Sequence, residues 1–141
     1  MQFNSLVPEL YISDFEESLH FYISIIGFKS EYQREAPRFA FLSYQGSQLM
    51  IQELVAGERV EQRLEHPFGR GINFQIDTEN VQDVVESLKA HHYPLQRGPK
   101  DSSYRAGDML HGCREILVTD PDGYLLRFSQ QIGDRGHTTM V

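Results

Sequence analysis

The chain has 141 residues, 20 Asp and Glu against 13 Lys and Arg, a formal net charge of −7 and one cysteine. At this length about two-thirds of the unfolded surface is buried on folding, so a core forms without staples, and the lone Cys113 makes neither an internal bridge nor a multi-cysteine zinc site. The acidity opposes the counterion release that drives nucleic-acid binding, no apolar run spans a membrane, and MQFNSLVPEL lacks the features of a secretory signal, so a cytoplasmic protein without nucleic-acid or membrane partners is expected.

From Leu6 to Ile12, Leu6, Leu10 and Ile12 alternate with Val7, Glu9 and Tyr11, the period of a half-buried strand. Ser13-x-x-Glu16 reads as a capping box; Phe15, Leu19, Tyr22, Ile25 and Ile26 then follow at helical spacing until Gly27 stops the helix. Alternating runs over 28–34, 38–44 and 48–54 complete a βαβββ pattern in residues 1–55. Residues 56–70 are polar, end in His66-Pro67-Phe68-Gly69, and read as a connection with a short helix.

The pattern then starts again. A strand over 71–76 precedes a helix carried by Val81, Val84, Val85 and Leu88, and strands follow over 93–97, 114–119 and 124–130. The last two flank the turn Asp120-Pro121-Asp122-Gly123. Residues 71–141 thus form a second βαβββ module, interrupted by a long polar excursion from Gly98 to Gly112, and both modules are expected to make one structural domain. Excursions of that length in small domains often act as binding lids, and its most capable side chains are Tyr104 and Arg105.

Each sheet has a helix for one face, so the other curves around a cavity or meets a partner. Alternation assigns to that face Val7, Glu9 and Tyr11; Gln48, Met50 and Gln52; Gly71, Asn73 and Gln75; Glu115, Leu117 and Thr119; and Leu125, Arg127 and Ser129. The set is too polar for a dry core yet mixed enough to hold a ligand. Arg114, next to Glu115, falls on the opposite face as an ordinary edge charge.

Pro8-x-Leu10-x-Ile12-x-Asp14, Ser18-Leu19-x-Phe21-Tyr22, Gly27-Phe28, Gly71-x-x-Phe74-x-Ile76-Asp77, Gly112-x-Arg114-Glu115 and Asp120-Pro121-Asp122-Gly123-Tyr124-Leu125-Leu126-Arg127-Phe128 occur in this order. Together they resemble the vicinal oxygen chelate superfamily, also called the glyoxalase, bleomycin-resistance and dioxygenase superfamily. The resemblance implies an α+β fold in which two βαβββ modules form a cupped, cavity-enclosing mixed sheet with helices outside, commonly completed in a homodimer. Metal-dependent members carry His or Gln on the first strand of each module and Glu on the last. The matching positions here hold Val7 and Gly71, then Met50 and Arg127, none of them a side-chain ligand for a hard cation.

The chain is therefore most similar to the metal-free bleomycin-resistance-like proteins, which implies a small-molecule-binding protein without cofactor or catalytic residue. Its ligand is expected to be a cationic or aromatic organic molecule. Glu9 and Glu115 would supply charge, Tyr11 and Tyr104 stacking, Gln52, Asn73 and Gln75 hydrogen bonds, with Met50, Arg105 and Arg127 completing the wall. An ion pair between Glu9 and Arg127 is the alternative use of those two charges. The alternative function is a lyase, isomerase or dioxygenase whose metal ligands are displaced, for instance to His66, His111 and a carboxylate; none of the histidines, His137 included, has a zinc-motif spacing. The His111 and Cys113 pair reads as structural, for no oxyanion-hole motif accompanies it.

Overall fold

The computed structural model describes residues 1–57 and 63–136; part of the expected connecting helix, over 58–62, and His137 lie outside the described residues. The elements are β1 (Glu9–Ile12), α1 (Phe15–His20) with a π-helical continuation (Phe21–Ile26), β2 (Lys29–Glu35), β3 (Arg38–Tyr44), β4 (Ser47–Glu53), β5 (Asn73–Asp77), α2 (Val81–Ala90), β6 (Arg97–Ala106), β7 (Met109–Thr119) and β8 (Leu125–Gly136). They form two four-stranded mixed sheets of order β1-β4-β3-β2 and β5-β8-β7-β6, the expected α+β fold of βαβββ modules. In each, the last strand returns parallel to the first, β1 beside β4 and β5 beside β8. No described helix is long and apolar enough to cross a membrane.

The chain divides into two compact units: Met1–Ile72 with Thr119–Tyr124, and Asn73–Val118 with Leu125–Val141. In the first unit Leu10, Ile12, Ala40, Leu42, Leu49 and Ile51 are buried on one face of the sheet, as are Phe15, Phe21, Tyr22, Ile25 and Ile26 of the helical segment. Alternation delivers the strand half of this core and helical spacing the other. The helix begins one residue later than its capping box suggests. Asp14 is the N-cap and accepts from the Glu17 amide at 3.1 Å, because Ser13 is committed elsewhere: its amide donates to Asp122 Oδ2 at 2.9 Å and its hydroxyl to Asp122 Oδ1.

Asp122 belongs to the turn between β7 and β8, and that turn lies in the first unit. His66 Nε2 contacts the same Asp122 Oδ1 at 2.8 Å. The neighbouring Asp120 accepts from the Tyr22 hydroxyl at 2.8 Å and from the amides of Asp122 and Tyr124 at 3.0 and 2.9 Å. Tyr124 in turn donates its hydroxyl to the Tyr11 carbonyl at 2.7 Å. Both carboxylates are nearly inaccessible, at 3% and 2% exposure, and buried acceptors are stable only when donors surround them in this way. Gly123 closes the turn at φ +100, with any added Cβ 2.5 Å from Pro67 Cβ.

In the second unit Ile76, Ile116, Val118, Leu126 and Phe128 are buried, as are Val81, Val84, Val85 and Leu88 of α2. Asn80 caps α2 by accepting from the Gln82 amide at 3.0 Å. Two expectations are corrected. The segment from Tyr93 does not start a strand: the Tyr93 amide closes the helix end on the Leu88 carbonyl at 2.9 Å, and Pro94 has no N–H for a ladder. Gly98 to Gly112 is not a loop or lid either. It is the hairpin of β6 and β7, paired in register from Lys100↔Glu115 through Asp101↔Arg114 and Tyr104↔His111 to Ala106↔Met109.

Burial pushes the Asp120 carboxyl up to about 6, against the lowering effect of the Tyr22 and Tyr124 hydrogen bonds. The folded state therefore holds this proton more tightly than the unfolded chain. Stability from this source is complete below about pH 4 and is lost as pH rises through about 6. A shift of about two units corresponds to about 3 kcal/mol. The melting temperature of the native protein minus that of Asp120→Asn should therefore fall between about pH 4 and 6; a flat difference would show that Asp120 ionises as in the unfolded chain. In urea unfolding, Gly123→Ala should lose about 2 kcal/mol or more through left-handed strain plus the Pro67 clash. Gly46→Ala, at φ +89 with no atom within 4 Å, should lose only the strain; equal losses would remove the clash.

Candidate functional site

The first unit's sheet turns one face away from its helix. On it Glu9 lies opposite Met50 and Tyr11 opposite Gln52 in the parallel β1/β4 pair. Met50 also faces Phe41, and Gln52 faces Phe39, in the antiparallel β3/β4 pair. Residues opposite each other share a face, so the expected Glu9, Tyr11, Met50 and Gln52 do fall together, with Glu9 exposed and the other three partly buried. Phe39 and Phe41, which the sequence reading did not place there, join them.

These phenylalanines lie beneath an aromatic cover. Tyr32 stacks on Phe41 with centroids 5.3 Å apart and planes at 13°, Phe3 meets Phe41 edge-on at 5.3 Å, and the Arg34 guanidinium lies 4.1 Å above the Phe39 ring. Tyr32 and Phe3 keep 39% and 59% of their surface exposed, whereas Phe39 and Phe41 are buried. Such a surface suits a flat, partly apolar molecule. The alternation of Arg38-Phe39-Ala40-Phe41-Leu42 held the signal, but both faces of that strand are apolar, so pattern alone selects neither.

The second unit carries the polar counterpart. Gln75 pairs with Arg127 and Asn73 with Leu125 in the parallel β5/β8 pair, with Asn73 and Gln75 exposed. Arg127, Glu115, Tyr104, Lys100, Ser102 and Leu117 line a cleft of about 190 Å³. Within it the Tyr104 hydroxyl donates to Glu115 Oε1 at 2.7 Å, and Arg127 Nε stands 3.7 Å from Glu115 Oε2. Neither Arg127 Nε nor Glu115 Oε2 has a hydrogen-bond partner among the described residues, though both atoms are buried. Glu115 is mostly buried, at 13% side-chain exposure. The hydrogen bond to this carboxylate pushes the Tyr104 phenol up to about 12, with burial and the Glu115 charge adding to the effect. Tyr104 is therefore a neutral donor across the physiological range.

Arg105 does not accompany Tyr104. It is the next residue on β6 and opposes Leu110, on the other face of the hairpin. Arg114 also lies on that other face, where it forks onto Asp101 of the edge strand β6 at 2.8 and 3.1 Å; β7 itself is an interior strand, so Arg114 is a paired charge and not the edge charge expected of it. Cys113 is buried, in keeping with a structural thiol. Lys100 and Ser102 lie on β6, whose mostly exposed residues show no alternation that would mark a cleft-facing side.

The chain belongs to the glyoxalase/bleomycin resistance protein/dioxygenase superfamily, whose model matches residues 2–128. Among solved structures it is similar to the genomically encoded fosfomycin resistance protein FosX of Listeria monocytogenes, with 20% identity over 93% of this chain and 94% of that one and a TM-score of 0.60. It is also similar to TioX of Micromonospora sp. ML1, with 20% identity over 92% and 99% and a TM-score of 0.65. Virulence protein STM3117 of Salmonella typhimurium gives 19% identity over 94% and 100% at a TM-score of 0.65. At these identities the likeness is one of fold. No curated protein sequence matches the chain.

If the Glu115 carboxylate is what raises the Tyr104 phenol, Glu115→Gln should lower its ionisation midpoint by at least about one unit, toward the ordinary tyrosine value near 10. Carbon-13 NMR of the tyrosine Cζ, assigned with Tyr104→Phe, reads this directly. An unmoved midpoint would break the link between the two groups.

Proposed function

We propose that this chain is a metal-independent small-molecule-binding protein, a homodimer that sequesters an organic ligand on its open sheet faces in the manner of bleomycin-resistance-like members of the superfamily. The observation that carries the reading is Arg127. Its guanidinium stands 3.7 Å from Glu115 in the cleft of the second unit, and by the resemblance its position matches the one where metal-dependent members carry a carboxylate ligand. A fixed cation at a metal-ligand position repels a divalent ion. Val7, Gly71 and Met50, at the other matching positions, offer no side chain suited to a hard cation. Among the described residues no three His, Cys, Asp or Glu are grouped to hold a metal ion. These residues do not fit the metal of the superfamily's enzymes.

Two further features support binding. The Tyr32, Phe3 and Phe41 surface with the Arg34 guanidinium offers stacking to a planar group. The unpartnered atoms of Glu115 and Arg127 offer directional contacts in a small cleft, the combination of apolar wall and few polar groups typical of ligand sites. Drug sequestration is the role within this reading. The exposed apolar side chains Phe3, Leu6 and Tyr32 support self-association. Native mass spectrometry of the purified protein, with elemental analysis of the same sample, is expected to give a dimer without stoichiometric metal and with organic mass retained at low activation. One Fe, Mn, Ni or Zn per chain would overturn the reading in favour of an enzyme.

A further inference from the structure

We propose that the cleft of the second unit receives the carboxylate of an organic acid that carries a hydroxyl or amine beside its acid group. The inference rests on the binding reading above and names the class of ligand. The chain as a whole has a formal charge of −7, yet the cleft inverts that sign locally. Its lining holds three cations, Arg97, Lys100 and Arg127, against one carboxylate, Glu115. Neither Arg97 nor Lys100 makes an ion pair among the described residues.

Glu115 does not cancel this excess, for its charge is already met inside the protein. Tyr104 donates to one of its oxygens at 2.7 Å and the Arg127 guanidinium lies beside the other. A cationic ligand would find its counter-charge engaged and three like charges around it. The Arg127 contact itself is open. At 3.7 Å it is an ion pair without a hydrogen bond, in contrast to the Arg114 fork on Asp101 at 2.8 and 3.1 Å. A guanidinium not closed on its own carboxylate keeps its planar donors for another, and bidentate carboxylate recognition is what that fork does best.

The second half of the ligand follows from Glu115 Oε2, a buried acceptor with no donor. A hydroxyl or amine next to the ligand's acid group would supply one, which an unadorned acid cannot do. Leu117, on the same face of β7 as Glu115, gives the apolar wall for the carbon skeleton. At about 190 Å³ the cleft is smaller than sites for drug-sized molecules, roughly 300–1,000 Å³, so it takes a small acid or the acidic end of a larger one.

Three probes with one ring separate the terms: mandelate, with acid and hydroxyl; phenylacetate, with acid alone; and 2-phenylethylammonium, a cation. Amide NMR titration of the full chain should show mandelate binding with shifts centred on β6, β7 and β8, phenylacetate several-fold weaker, and no saturable shift with the ammonium. Arg127→Gln should weaken mandelate about tenfold, and the exposed Lys100→Gln about threefold while leaving the fold intact. If Arg127→Gln fails to fold, Arg127→Lys and Lys100→Gln read the same term. Preference for the ammonium, or mandelate affinity unmoved in both the Arg127 and Lys100 variants, would overturn the proposal. So would no saturable binding of mandelate to the native chain. An organic mass retained in native mass spectrometry alongside any of these failures leaves the binding reading standing, whereas stoichiometric metal sinks that reading itself.

Discussion

Two carboxylates buried in one tight turn set the terms for the first unit of this molecule. Asp120 and Asp122 cannot be left unsolvated, so the chain around them is arranged to deliver donors from distant segments. Ser13 at the start of α1, Tyr22 in its π-helical continuation and His66 in the connecting segment all converge on them. Tyr22 illustrates the coupling. Its carbonyl accepts from the amides of both Gly27 and Phe28 at 3.0 and 2.8 Å, ending the helical segment, while its hydroxyl holds Asp120. One residue thus sets where the helix stops and what the turn leans on.

The turn also fixes where β8 starts. The Asp120 amide donates to the Tyr124 carbonyl at 2.9 Å, and β8 begins at the next residue. Arg127 is two positions further on and stands opposite Gln75. A slip of one residue would send Arg127 to the apolar face and Leu126 or Phe128 into the cleft, which the period of the strand forbids. The face on which the guanidinium stands is therefore set by the register of β8 on β5.

Much of this could be read before any coordinates. Where a strand is apolar on one face and polar on the other, alternation separated the faces correctly, as for Leu10 and Ile12 against Glu9 and Tyr11, or Leu126 and Phe128 against Arg127. It failed where the two faces are alike. The Gly98 to Ala106 stretch is mostly exposed on both, so nothing in its period announces a strand, and only pairing with β7 makes it one. Arg38 to Leu42 fails for the opposite reason, being largely buried on both faces, which hid Phe39 and Phe41. The Asp-Pro-Asp-Gly segment was legible as a turn. Its partners, 54 to 109 residues away, were not, because no local pattern reports a contact at that distance. The same distance hides the commitment of Ser13 to Asp122, which leaves its capping-box spacing unused.

The placement of the β7/β8 turn within the first unit has a consequence for how this chain can be divided. The repeated βαβββ pattern invites the view that each half is a self-sufficient building block, the relic of an autonomous ancestor. A polypeptide cut after Ile72 would keep every strand and helix of the first sheet yet lose the acceptors for the Tyr22 hydroxyl and the Ser13 amide and hydroxyl. The complementary piece would carry two aspartates that it cannot bury. A stretch encoded late in the chain thus completes a body encoded early, so neither half of the sequence holds all the parts of the first unit.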